Sequence, residues 1–166
     1  AAPLMKEIEA TASSKDAYLR QSAVETLGRI ARLESMPVIA ARLGDPSKLV
    51  RRTAAWAMRQ IYSRHSDVST APLEQALKSP DERVRWGATR VFALHHATLA
   101  RQPQMADALI AATRDASIAV RMQAFKGLWQ SWFWNADQAT KEKIEDTFLA
   151  AIAEPQHPWI DRNLRE

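Results

Sequence analysis

The fold of this chain is decided by residues 45–57, which read DPSKLVRRTAAWA. In this stretch the apolar residue Val50 precedes Arg51, and Ala54 follows three positions after the arginine. A second large apolar residue, Met58, lies seven positions after Arg51. The spacing of Val50, Ala54 and Met58 is i, i+4 and i+8, which is one stripe of an α-helix. The stretch therefore predicts the start of an amphipathic helix.

The same pattern occurs four times in the chain, at intervals of 31, 34 and 36 residues. Self-similarity at such a period is typical of helical repeat proteins, in which each unit buries its apolar face only by stacking on its neighbours. An aspartate precedes each motif arginine by four or six positions. The aspartate and arginine pairs are Asp16 and Arg20, Asp45 and Arg51, Asp81 and Arg85, and Asp115 and Arg121.

Local signals predict where the motif helices start. Asp45 and Pro46 have the residue types of an N-cap and a first helical position, and residues 79–82, which read SPDE, have the spacing of a capping box. Asp115 is a third candidate cap. A shorter apolar stretch with a proline near its start precedes each motif helix, so each repeat is predicted to hold two helices, A and then B. No segment alternates with period two, and no strand is predicted.

The predicted fold class is all-α, a right-handed α-solenoid of about four to five two-helix repeats forming one domain over residues 1–166. Since the sequence starts with alanine and stops where a fifth B helix would begin, we expect it to be a piece of a longer protein. The predicted repeats cover approximately residues 1–33, 34–66, 67–99, 100–135 and an incomplete fifth at 136–166.

Composition excludes several classes of function. The chain is 46% hydrophobic and 25% charged, as in ordinary globular proteins, and its lack of cysteine excludes disulfides, thiolate metal sites and a cysteine nucleophile within it. The four histidines show no metal-ligand spacing, and no glycine-rich phosphate loop occurs. We therefore predict no metal site, no cofactor and no catalytic residue. No apolar run approaches the length that crosses a bilayer, and the compartment, cytoplasmic or periplasmic, stays open.

Positive charge is concentrated in the first part of the chain. Residues 1–121 hold 18 Lys and Arg against 12 Asp and Glu, whereas residues 122–166 hold five against seven. This excess is modest, so by itself it is a weak argument for nucleic-acid binding.

The pattern at residues 45–57 resembles a HEAT repeat, in particular the bacterial HEAT-like kind named after phycobilisome lyases. The resemblance extends over nearly the whole chain. It implies an α-solenoid whose B helices line the concave side. It also implies that the repeated aspartates and arginines form a hydrogen-bonded ladder between adjacent repeats, which would make Arg20, Arg51, Arg85 and Arg121 structural.

On each B helix, the positions one, five, eight and twelve after the motif arginine form a ridge opposite the buried stripe. We expect this ridge to be exposed, including the small residues Gly28 and Ala93. In the later repeats it is rich in Trp and Arg, residue types enriched at binding hot spots. The alternative is that curvature of the array or a missing segment covers these rings. The predicted partner-binding residues are Arg52, Trp56, Arg59, Trp86, Arg90, Met122, Lys126, Trp129 and Phe133.

These residues predict a non-catalytic scaffold that recognises a protein or peptide, one with acidic and apolar groups, through the concave B-helix face. Nucleic-acid binding by the same residues is the alternative. An enzyme similar to the HEAT-like DNA glycosylases or to the phycobilisome lyases ranks below both, because the ridge holds one carboxylate, Glu25, and lacks the aspartate that those glycosylases use. The apolar helix near residues 144–152 leaves end-to-end self-association open, with Trp159 and Leu164 as residues that would fold back over it.

Overall fold

A computed structural model describes residues 2–65, 67–94, 104–134, 136–154 and 158. These residues are α-helical apart from one short 3₁₀ turn and the connecting loops, and none of them forms a strand. The contacts between Cα atoms divide the chain into two compact units, residues 1–95 and 96–166. Each unit is a stack of helical repeats, and the fold class is an all-α solenoid.

The first unit contains three helix pairs. In the first pair, α1 (Ala2–Thr11) precedes α2 (Ala17–Ile30). In the second, a 3₁₀ turn (Leu33–Ser35) and α3 (Met36–Ala40) precede α4 (Lys48–Arg64). In the third, α5 (Ala71–Ala76) precedes α6 (Glu82–Leu94). The long B helices α2, α4 and α6 pack side by side in chain order.

The motif stripe of α4 forms the centre of this unit, because Val50, Ala54 and Met58 are completely buried. The first copy of the motif differs at its start, where Leu19 is 47% exposed. Leu19 belongs to the first helix pair that the structure describes. The alanine and the second apolar position are buried in each copy of the first unit, at Ala23, Leu27, Ala88 and Phe92 as well as in α4.

Glycines allow neighbouring repeats to approach one another closely. A Cβ atom built on Gly28 of α2 would lie 2.6 Å from the Cβ of Ala57 and 2.8 Å from the ring of Trp56, both on α4. A Cβ built on Gly87 of α6 would lie 2.5 Å from the carbonyl oxygen of Leu43. Both distances are too short for real atoms, so a side chain at either position would push neighbouring repeats apart.

The predicted starts of α4 and α6, at Pro46 and Pro80, each precede the observed start by two residues. α4 begins at Lys48 with Ser47 as its N-cap residue, and the Asp45 carboxylate accepts a hydrogen bond from the Ser47 N–H instead of capping the helix directly. α6 begins at Glu82, and Asp81 accepts from the Arg83 N–H. The aspartates organise the turn before each helix, because an Asp side chain readily bonds the N–H two residues ahead.

The second unit contains α7 (Gln104–Ala112), α8 (Ile118–Trp134) and α9 (Gln138–Ala153). α8 carries the fourth motif, and its stripe residues Val120, Ala124 and Leu128 are buried. The ring of Phe125 on α8 contacts that of Phe148 on α9, with centroids 5.6 Å apart. Near the C-terminal end of α9, the apolar side chains of Leu149 and Ile152 are exposed. Trp159 and Leu164, predicted to fold back there, lie outside the described residues.

None of the described helices is long and apolar enough to span a membrane.

Candidate functional site

Each motif arginine forms hydrogen bonds with the loop that precedes its own helix. Its Nη1 donates to two backbone carbonyls, those of the residues six and five positions earlier, at 2.6 to 3.1 Å. The same bond pattern recurs in all four repeats although the loop sequences differ. The acceptor residues are Ser14 and Lys15 for Arg20, Asp45 and Pro46 for Arg51, Ser79 and Pro80 for Arg85, and Asp115 and Ala116 for Arg121.

Counting back from the motif arginine, positions −6 and −4 in each loop hold one serine and one aspartate. In every loop, a side-chain oxygen at −6 accepts a hydrogen bond from the N–H at −4. The order of the two residues alternates along the chain, which explains why aspartate occurs at two distances from the arginine. The −6 and −4 residues are Ser14 and Asp16, Asp45 and Ser47, Ser79 and Asp81, and Asp115 and Ser117.

The order of this pair decides the contact between the first two repeats. Asp45, at −6, accepts two hydrogen bonds from Arg20 of the preceding repeat, at 2.8 Å from Nε and 2.9 Å from Nη2. The Asp45 side chain is only 1% exposed. Its burial alone would raise the pKa of Asp45, but the bonds from Arg20 and the Ser47 N–H outweigh this effect and hold the pKa below its usual value. The pair is a bidentate ion pair between repeats.

The contact between the second and third repeats is built differently. The third repeat has Ser79 at −6, and its aspartate, Asp81, lies at −4 and pairs with Arg83 at 3.0 Å. Among the described residues, the hydrogen bonds of the Arg51 guanidinium go to the two loop carbonyls and to no carboxylate. The guanidinium instead lies over the ring of Trp86, 5.6 Å from its centroid. Arg20 and Asp45 therefore form one rung of the ladder that the resemblance implies. The other rungs of that ladder stay a prediction.

Two positively charged guanidinium groups lie near the ring of Trp86. The guanidinium of Arg90, one turn later on α6, also lies 5.6 Å from the centre of the Trp86 ring. Burial lowers the pKa of Arg90, and the nearby charge of Arg52 lowers it further. We call Arg51, Arg52, Trp86 and Arg90 the Trp86 cluster.

The two ridge tryptophans of the first unit are half-buried, not fully exposed as predicted. Trp56 lies against α2 because Gly28 leaves space for its ring, and Trp86 is flanked by arginines. The small ridge residues Gly28 and Ala93 are buried, contrary to the prediction, since neighbouring helices pack closer than one helical wheel suggests. Arg52 is exposed and Arg59 is half-buried. Of these predicted residues, Arg90 lies over the Trp86 ring, and Arg52 is near enough to Arg90 for its charge to lower the pKa of Arg90.

In the second unit, the predicted residues on α8 form a separate aromatic surface. Trp129 and Phe133 are 58% and 59% exposed. Trp129 stacks on Trp132 at 5.9 Å, and the Trp132 indole N–H donates to Glu145 of α9. Lys126 is exposed, whereas Met122 is half-buried and packs against Phe125 and Ala151.

A shallow cavity of about 420 Å³ lies at the C-terminal ends of α2 and α4, a site that the sequence interpretation missed. Arg64 donates to the carbonyls of Arg29 and Ile30, and His65 contacts the carbonyl of Ala31 at 3.1 Å. These contacts provide hydrogen-bond partners for the carbonyls at the C-terminal end of α2, which have no partner within the helix. Among the described residues, no group of three His, Asp or Glu is placed to hold a metal ion.

The helix pairs, stacked B helices and recurrent loop bonds define an α-helical repeat protein. A family model described as HEAT repeats matches residues 4–93, more than half of the chain, and the chain belongs to the HEAT repeat family. This fold is typical of protein-binding scaffolds and is usually non-catalytic.

Comparisons with solved structures agree on the fold. A computationally designed armadillo repeat protein for modular peptide recognition is similar, with a TM-score of 0.59 at 16% identity, over 99% of this chain and 80% of that one. A further engineered protein has a TM-score of 0.55 at 14% identity, over 92% of this chain and 74% of that one. A search of curated protein sequences finds no significant match.

Proposed function

We propose that the chain is a non-catalytic recognition module that binds a protein or peptide partner across the B helices α4 and α6. The observation that carries this proposal is the pair of half-exposed indoles, Trp56 and Trp86, on adjacent helices and flanked by Arg52, Arg59 and Arg90. Trp and Arg are the residue types that dominate binding energy in protein interfaces, and a ring already held by its neighbours loses little entropy on binding.

Two further observations favour a protein or peptide over nucleic acid. Bases that stack on a protein need an open aromatic face, whereas Trp86 already has guanidinium groups over its ring. Nucleic-acid binding also depends on a large cationic surface, and the excess of positive charge in this chain is modest. The similarity to a designed protein for peptide recognition supports the same class of partner.

The non-catalytic part of the proposal rests on the lack of an available base. The described ridge positions of the first unit include one carboxylate, that of Glu25. Its Oε1 accepts a hydrogen bond from Arg29 at 2.7 Å. This carboxylate is paired with Arg29 on the surface of α2, so it is not positioned to accept a proton from a substrate.

A selection from a random peptide library tests the proposal. Peptides that bind the wild-type chain should lose roughly 30-fold or more in affinity with Trp56→Ala or Trp86→Ala, the loss expected for an interface anchor. Leu149→Ala on α9 removes an exposed apolar side chain outside this surface and should leave the affinity unchanged.

The proposal fails if no peptide is selected, or if the selected peptides bind the tryptophan variants as well as the wild type. Tight binding of single-stranded oligonucleotides, weakening steeply with salt, would favour the nucleic-acid alternative.

A further inference from the structure

Among the residues that the structure describes, the contact between the second and third repeats shows no counterpart of the carboxylate that Asp45 provides in the preceding contact. Arg20 and Arg51 occupy the same position in consecutive repeats and make the same two bonds to their own loops. The acceptor for Arg20 is Asp45, at −6 in the following repeat. The corresponding residue for Arg51 is Ser79, whose neutral hydroxyl accepts a bond from the Asp81 N–H.

The charges around Arg51 remain predominantly positive. Arg51 and Arg90 both lie over Trp86, and Arg52 is the next residue of α4 and is exposed. The charges of Asp81 and Arg51 interact, but the Asp81 carboxylate is already paired with Arg83. In addition, the Nε of Arg51 is buried without a hydrogen-bond partner in the structure. Gathered guanidinium groups of this kind are stabilised by an added anion.

We propose that the Trp86 cluster is a subsite for a carboxylate side chain of an acidic peptide. This inference rests on the proposed function and names the chemistry that the surface recognises. The bound carboxylate supplies the negative charge that Asp45 supplies one repeat earlier. A carboxylate is favoured over a nucleic-acid phosphate because the equivalent arginine already binds one in this fold, in bidentate geometry.

The alternation of serine and aspartate provides a specific test. Ser79→Asp places a carboxylate at the position that Asp45 occupies in the preceding repeat, so it should neutralise Arg51 from within the protein. The probes are a fluorescein-labelled hexaglutamate peptide and its hexaglutamine counterpart, measured by fluorescence anisotropy at low salt. Hexaglutamate should bind the wild type roughly tenfold more tightly than hexaglutamine, and Ser79→Asp should remove most of this difference.

The matched control is Thr26→Asp. Thr26 is exposed on α2, six positions after Arg20 and therefore off the ridge, so the variant changes the net charge equally without placing the charge at the −6 position or on the proposed binding surface. It should change hexaglutamate affinity by less than about twofold, as expected for a screened surface charge. Arg52→Gln, at an exposed position, should weaken the peptide roughly fivefold with an unchanged melting temperature, so the test stands even if Ser79→Asp folds poorly.

Equal losses for Ser79→Asp and Thr26→Asp would overturn the subsite, because the effect would then be general surface charge. Tighter binding of an oligothymidine of equal charge would also overturn it, in favour of phosphate. If library-selected peptides lack acidic residues and bind Ser79→Asp normally, the carboxylate subsite is wrong but the recognition function stands. If hexaglutamate behaves as expected but the library yields no binder that depends on Trp56 and Trp86, the subsite stands and the broader function fails.

Discussion

The first unit contains two contacts between successive repeats that differ in their electrostatics. We call the contact of the first repeat with the second, where α2 packs on α4, the first interface, and that of the second repeat with the third, where α4 packs on α6, the second interface. Each has a glycine at a point of close approach, Gly28 against α4 and Gly87 against the loop residue Leu43, and each places a motif arginine beside the next repeat. At the first interface the arginine meets a buried carboxylate, and at the second it meets an indole. The exchange of serine and aspartate between positions −6 and −4 thus replaces a buried ion pair with a cluster of arginines around an indole.

The largest expected difference between the interfaces comes from removing the arginines. Arg20→Ala should lower the free energy of unfolding by about 3 kcal/mol, because it leaves the Asp45 carboxylate buried without its partner. Urea unfolding followed by circular dichroism measures this loss. Arg29→Ala, which removes an exposed pair with Glu25, is the control and should cost under about 1 kcal/mol. Equal losses for the two variants would mean that the buried pair adds no more stability than a surface pair.

Adding a methyl group at the close approaches should affect the two interfaces alike. Gly28→Ala and Gly87→Ala should each cost about 2 kcal/mol, because strain between the helices exceeds the gain in helix propensity. Thermal and urea unfolding measure this cost. Thr26→Ala, at an exposed position on α2, should be neutral or slightly stabilising. A large cost at one glycine alone would show that the interfaces differ in packing as well as in charge.

At the second interface, removal of the arginine should cost less. Arg51→Ala should lower the free energy of unfolding by about 1 kcal/mol, because it removes two bonds to loop carbonyls but leaves no buried carboxylate unpaired. The same urea experiment applies, with Arg20→Ala for comparison. A loss as large as that of Arg20→Ala would contradict the contrast between the interfaces.

The smallest expected effect is the dependence of stability on pH that the Asp45 carboxylate contributes at the first interface. The folded-state pKa of Asp45 lies below its unfolded value of about 3.9. The ion pair therefore contributes its full stability above that pH and loses it as pH falls toward the folded-state pKa. Unfolding of the wild type and of Asp45→Asn should converge in acid and differ most near neutral pH. A difference that grows in acid would have the wrong sign.

The sequence predicts the buried stripe of the B helices because that stripe depends on spacing within a single helix. Val50, Ala54 and Met58 are buried as their spacing indicates, and the helical repeat fold follows from four such copies. The helix starts were harder to predict because serine and aspartate exchange places in the loops, and both residue types are good caps. Hydrogen bonds across the turn decide between them, and these bonds depend on backbone geometry that residue type does not determine.

The candidate site was predicted in composition but not in arrangement. The residues Trp56 and Trp86 were identified by helical position, yet their half-burial depends on contacts with other helices, such as Gly28 with Trp56. The role of Arg51 was also missed, although a comparison of the residues at −6, Asp45 against Ser79, would have indicated that its environment differs from that of Arg20. The part these residues play in binding stays a prediction.

The serine and aspartate exchange also determines how such repeats could be rearranged. The loop that supplies or withholds the carboxylate belongs to the downstream repeat, while the arginine is present in every upstream one. A duplicated copy of the second repeat would therefore bring an ion pair to whatever precedes it, and a duplicated third repeat would bring an open cationic surface. In an engineered array of these repeats, the order of the copies would therefore determine which contacts between repeats contain an ion pair and which contain a cationic binding surface. The number of copies would not affect this assignment.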